Sequence, residues 1–124
     1  MGKMLAGAML ALMPGLTALA GGIDRDAAPL RLLMVERPGC QYCAAWRAEI
    51  GPGYGTSAQG RAAPLMTVDI DGPWPDGLAL DRRAWLTPTF ILLSRGREVG
   101  RIEGYPGARH FYAVLDEVME GAAP

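Results

Sequence analysis

Pro38-Gly39-Cys40-Gln41-Tyr42-Cys43 holds both cysteines of a 124-residue chain, and the residues on either side of it decide how the chain folds. Upstream, Leu30 to Glu36 (Leu-Arg-Leu-Leu-Met-Val-Glu) is a short, largely apolar run that ends at Arg37-Pro38-Gly39. That is the pattern of a buried strand running into a turn. Downstream, Cys43, Trp46 and Ile50 recur at spacings of three and four, so an amphipathic helix is expected to begin at the first cysteine. Gly51-Pro52-Gly53 is expected to stop it.

A cysteine at the mouth of a helix sits where the first backbone N–H groups lack intrahelical partners and the helix carries roughly half a positive charge. Both favour thiolate. Lowering a thiol pKa from about 8.5 to about 7 corresponds to roughly 2 kcal/mol, within reach of the helix terminus and a hydrogen bond from the second thiol. Cys40 is therefore the candidate nucleophile, and Cys43, one turn inside, the candidate resolving thiol. A disulfide that only staples the fold is the competing reading. A loop of about four residues yields roughly 2 kcal/mol in the chain-entropy model, against about 4.7 for a 100-residue loop, so the spacing makes a poor staple. Structural zinc needs four ligands, and the single histidine, His110, lies 67 residues beyond Cys43. Haem attachment needs His directly after Cys43, where Ala44 stands. Two thiolates alone can hold Cu(I), so a metal-delivery or binding module stays open.

Further along, ten of the 27 positions from Gly51 to Gly77 are Gly or Pro. This stretch is expected to be loop apart from a second strand over Leu65 to Ile70. Asp76 to Trp85 reads as a short helix. Thr87-Pro88 precedes the apolar strand Thr89 to Leu93, and Ser94-Arg95-Gly96-Arg97 turns it into a strand from Glu98 to Glu103, giving a hairpin. Phe111, Val114, Leu115, Val118 and Met119 then follow helical spacing. The expected order is strand, helix, strand, helix, strand, strand, helix: an α/β sandwich with a mixed central sheet, covered on both faces.

The amino-terminal end reads differently. Lys3, an unbroken small and apolar run from Met4 to Met13, the break at Pro14-Gly15 and the small residues Ala18-Leu19-Ala20 form the pattern of a cleaved signal peptide over residues 1–20. An uncleaved anchor would need roughly 20 apolar residues. Residues 21–124 then form one domain, with Gly21 to Pro29 a flexible lead-in. The whole chain carries 12 basic and 13 acidic side chains, no bias of the kind that avid nucleic-acid binding requires. A monomer in an oxidising compartment is expected, with the cysteine pair exposed to redox exchange.

Thr87-Pro88 adds to the motif. An X-Pro bond adopts cis at a cost of only about 0.5–1 kcal/mol, and a cis proline usually marks a geometric duty. A strand, Cys-x-x-Cys at a helix start, Thr-Pro before a buried strand 48 residues after the first cysteine, a hairpin, then Gly104-Tyr105-Pro106-Gly107 and a last helix together resemble the thioredoxin family over about Leu30 to Met119. The resemblance implies a three-layer sandwich and thiol-disulfide exchange through a Cys40–Cys43 disulfide, with no separate cofactor and no metal. It further implies a cis Pro88 packed beside the disulfide, and a Thr87 backbone that holds an extended substrate segment. Gln41 and Tyr42 join Thr87 and Pro88 as substrate-contacting residues. Pro-Gly-Cys-x-Tyr-Cys is similar to the motif of exported thioredoxin-like proteins that accompany bacterial sulfur-oxidation systems. This narrower resemblance implies a periplasmic reductant that keeps a sulfur-carrier protein usable and is recharged by a membrane thiol-electron transporter.

The sequence also departs from ordinary thioredoxins. Gly39 precedes Cys40 in place of tryptophan, Gln41-Tyr42 separates the cysteines, and the family's buried strand carboxylate falls at Met34. Glu36 lies on the same strand face by the period of two and is the candidate proton acceptor for Cys43. Cys-x-x-Cys potentials span roughly −270 to −120 mV, so a disulfide donor or isomerase is the alternative direction. Trp46 is expected in the core, Trp74 and Trp85 as loop anchors or groove walls with Trp85 the better placed, and His110 at the surface.

Overall fold

The computed structural model describes Gly2 and residues 29–122; the expected signal peptide and most of the lead-in lie outside them. Its elements are β1 (Leu30–Glu36), α1 (Gln41–Glu49), α2 (Gly51–Tyr54), α3 (Ala58–Ala62), β2 (Leu65–Asp69), β3 (Thr89–Ser94), β4 (Arg97–Glu103) and α4 (Phe111–Ala122). The four strands form one sheet in the order β2-β1-β3-β4. β1 pairs parallel with β2 and antiparallel with β3, which pairs antiparallel with β4. The sheet is mixed, as the helix-bearing β1–β2 connection and the tight β3–β4 turn require.

β1 and β3 occupy the centre, and each contributes side chains to both faces, which is why both read as continuous apolar runs. Leu32, Met34, Phe90 and Leu92 face a cluster with Trp46, Ile50, Tyr54, Phe111 and Leu115 from the helices. Trp46 packs against Phe90 and Phe111 at ring-centroid separations of 5.4 and 5.8 Å, tilted and edge-on arrangements that aromatic quadrupoles favour. Gly100 on β4 admits α4, because a Cβ there would stand 2.6 Å from Cγ1 of Val118.

Two expectations fail between the motif and β3. The Gly- and Pro-rich stretch after α1 contains two short helices. Pro52 lies in the first turn of α2, where a missing N–H costs nothing. Ser57 caps α3 by accepting the Gly60 N–H at 2.9 Å. The expected helix over Asp76 to Trp85 is absent. Instead, residues 70–84 form an extended strap over the second face of the sheet, where Trp74, Leu78, Leu80 and Ala84 pack on Leu33, Val35, Val68, Ile91 and Leu93. Leu78 and Leu80 point inward, while the Ala79 N–H donates to Gly96 C=O and its carbonyl accepts the Glu98 N–H, each at 2.9 Å. A period of two combined with bonding to a sheet edge is strand-like behaviour, and it wins over weak helix propensity beside Pro73 and Pro75.

A buried ion pair fastens the strap. Glu98 accepts from Arg101 Nε at 2.8 Å and Nη2 at 2.6 Å and from the Asp81 N–H at 3.1 Å, while Arg101 Nη2 also donates to Arg82 C=O at 2.8 Å. Burial pushes the Glu98 carboxyl up, but the Arg101 and Asp81 hydrogen bonds, with the Arg101 and Arg82 charges, outweigh it and hold the group below the ordinary 4.5.

Candidate active site

β1 delivers the chain to the site. After Glu36 the backbone turns through Arg37 to Gly39, whose φ of +77° is the left-handed conformation that glycine adopts without strain. The Cys40 N–H closes the turn onto Arg37 C=O at 3.3 Å. Cys40 is the N-cap of α1, and its Sγ accepts the Cys43 backbone N–H at 3.1 Å. The sulfur thus occupies the place of the usual serine or aspartate oxygen and faces the positive end of the helix.

The two cysteines are joined as a disulfide across a Cα–Cα distance of 5.2 Å. Their surroundings differ as expected. Cys40 is half-buried, whereas Cys43 is completely buried among apolar side chains, in the cluster that includes Met34 and Trp46. The strand position that carries a carboxylate in ordinary thioredoxins is therefore filled here by a buried methionine. Gln41 and Tyr42 stand in solvent, Tyr42 at 58% relative exposure.

The second chemical segment comes from across the sheet. In the β1–β3 register Val35 lies opposite Thr89, so the residue before Thr89 falls level with Glu36, at the end of the sheet from which the cysteine turn leaves. The Thr87–Pro88 bond is cis. Pro88 is buried, and its carbonyl accepts the Gly104 N–H at 2.8 Å, while the Thr89 hydroxyl donates to Leu86 C=O at 2.7 Å. Among the described residues, no backbone group takes up the Thr87 N–H or C=O.

Glu36 is on the expected face, but its carboxylate is engaged by Arg47. The pair lines a cavity of about 390 Å³ that also touches Arg37, Cys40, Ala44 and Asp69. Cys43 does not line this cavity. Sequence reading missed Arg47, although Cys40, Ala44 and Arg47 recur at i, i+4 and i+7, the spacing of one helix face. It also missed the setting of Trp85, whose indole lies near Glu103, the carboxylate that Arg82 pairs. Among the described residues no group of three or more His, Cys, Asp or Glu is placed to hold a metal. Trp46 lies in the core and His110 at the surface, as expected.

The chain is 48% identical to the periplasmic thioredoxin SoxS from Paracoccus pantotrophus, whose crystal structure in the reduced form it matches with a TM-score of 0.74 over 76% of this chain and 99% of that one. The chain belongs to the thioredoxin family. Two further thioredoxins share the fold. One is thioredoxin-2 of the malaria parasite, with 22% identity and a TM-score of 0.51 over 71% of this chain and 82% of that one. The other is a point-mutant thioredoxin from Halobacterium salinarum NRC-1, with 17% identity and a TM-score of 0.51 over 79% of each chain. No family model and no curated protein matches the chain. As a thioredoxin-family member with a Cys-x-x-Cys disulfide at a helix start, it is a thiol-disulfide oxidoreductase.

Proposed function

We propose that the chain is a periplasmic reductant for an exported client, the sulfur-carrier protein of a sulfur-oxidation system. The observation that carries the reading is the unequal pair: an accessible Cys40 at the helix N-cap and a buried Cys43 one turn inside. Likeness to a periplasmic thioredoxin over most of the chain supports the compartment. The disulfide itself is the redox group, and no separate cofactor is called for.

In the reduced protein the Cys40 thiolate attacks one sulfur of the client disulfide. An S–S bond forms between Cys40 and the client, the client S–S bond breaks, and one client thiolate leaves. Cys43 then loses its proton and attacks Cys40 Sγ. The Cys40–Cys43 bond forms, the mixed disulfide breaks, and the second client thiolate leaves with the electron pair. Two electrons have passed to the client and two protons restore its thiols.

Throughout the cycle the Cys43 N–H and the helix terminus stabilise charge on Cys40. The open Thr87 backbone groups hold the client segment extended, with Gln41 and Tyr42 contacting it from the other side. Glu36, which Arg47 engages in the cavity beside Cys40, serves as the proton acceptor for Cys43 once the mixed disulfide lets that thiol turn out of its apolar surroundings toward the cavity. Recharging requires a second dithiol, supplied by a membrane thiol-electron transporter.

Trapping tests the client. Cys43→Ser cannot resolve the mixed disulfide, so periplasm from a sulfur-oxidising host should release one dominant protein on reduction of the trapped complex. Recovery of that host's sulfur carrier is the expected result, and a reproducible different partner would replace it. A potential near −120 mV rather than the reducing end of the family range would assign a disulfide donor instead.

A further inference from the structure

Two large apolar side chains stand out in solvent among the described residues: Tyr42 at 58% and Trp85 at 69% relative exposure. They belong to the two segments that bear the chemistry. Tyr42 lies between the cysteines, and Trp85 lies three residues before Pro88.

Trp85 projects into solvent next to an anchored carboxylate. Glu103, held below its ordinary 4.5 by Arg82 first and by the nearby Trp85 indole after it, also stands 3.9 Å from Arg101. Arg101 is in turn fixed by the buried Glu98. Glu103 lies opposite Thr89 in the β3–β4 register, and the next residue, Gly104, bonds the Pro88 carbonyl. The indole thus sits near the cis-proline segment with most of its surface in water. An exposed tryptophan beside a reactive groove is the kind of side chain that dominates recognition.

We propose that Trp85 is a specificity-determining residue for the client. This rests on the oxidoreductase reading above. The occupant is the extended client segment around its redox cysteine, running along the open Thr87 backbone groups and presenting an apolar side chain to the indole. Continuity with the reactive groove argues for that occupant.

Single-turnover reduction by the fully reduced protein tests the assignment. The substrates are two cysteine-linked peptide dimers that differ only in Leu or Ser beside the cysteine, with bis-hydroxyethyl disulfide as the normaliser. The native protein should favour the Leu peptide by about tenfold in rate, the scale set by one side chain in an apolar site. Trp85→Ala should bring that ratio to near one, and Trp85→Phe should retain most of it.

An unchanged Leu-to-Ser ratio in Trp85→Ala would overturn the proposal. So would a loss on the peptides no larger than the loss on bis-hydroxyethyl disulfide, or a Trp85-dependent dimer in solution, which would assign the ring to a second copy of the chain. A native protein inactive on all three disulfides would overturn the oxidoreductase reading instead.

Discussion

Replacing Arg101 with methionine removes one half of the ion pair that fastens the strap and leaves the other half stranded. Glu98 and Arg101 side chains are 2% and 5% exposed. In Arg101→Met the Glu98 carboxylate loses both guanidinium hydrogen bonds and keeps only the one from the Asp81 N–H. Breaking a buried pair from one side costs about 3–5 kcal/mol, a large share of the roughly 5–15 kcal/mol that holds a domain together.

The sign with pH follows. In the native protein the Glu98 carboxyl lies below 4.5, so its stabilisation is present above that pH and fades as the pH falls through the lowered value. Without Arg101, burial dominates and the carboxyl moves up. The variant then gains stability as protons bind on acidification, and the gap between native and variant narrows from pH 7 towards about pH 4.5. Urea unfolding at the two pH values reads both effects, and Glu98→Leu with Arg101→Met should recover most of the loss. A penalty below about 1 kcal/mol, or one equal at both pH values, would refute the claim that this pair pins the strap.

Two other perturbations probe the helical face and the cavity. Gly60→Ala places a Cβ 1.8 Å from the Tyr54 carbonyl oxygen, a clash with backbone that should cost upwards of about 2 kcal/mol in thermal or urea unfolding. In the cavity beside Cys40, Arg47→Ala leaves the Glu36 carboxylate unopposed and should raise the pH at which the reduced Cys40 thiol ionises, whereas Glu36→Gln should lower it. The pH profile of Cys40 alkylation, measured in a Cys43→Ser background, reads both, and shifts of the same sign would contradict the arrangement.

What could be read in advance followed from side-chain patterns that packing preserves. Leu30 to Glu36 and Thr89 to Leu93 are apolar on both faces because β1 and β3 are the two central strands, and the Cys43–Trp46–Ile50 spacing survives because those residues enter one cluster. The departures share one cause, which is that local composition does not reveal its tertiary partner. Pro52 breaks a helix only from inside, yet it sits in a first turn. Leu78 and Leu80 carry a strand-like alternation that becomes meaningful only once the sheet beneath them and the β4 edge beside them exist.

The site divides the same way. Cys40, Cys43 and Pro88 announce themselves because two thiols at that spacing and a proline before a buried strand have few other readings. The partner of Glu36 does not, because Arg47 meets it only when α1 folds back along the end of β1. The proximity of Trp85 to Glu103 likewise depends on β4 lying beside β3.

The claim on which the rest depends is the division of labour between the cysteines. Reduced native protein, Cys40→Ser and Cys43→Ser are mixed with insulin, quenched over time and resolved after alkylation of free thiols. The native protein should form the Cys40–Cys43 disulfide as insulin thiols appear, Cys43→Ser should stop at a covalent adduct through Cys40, and Cys40→Ser should do neither. Insulin reduction by Cys40→Ser at the native rate would contradict the account.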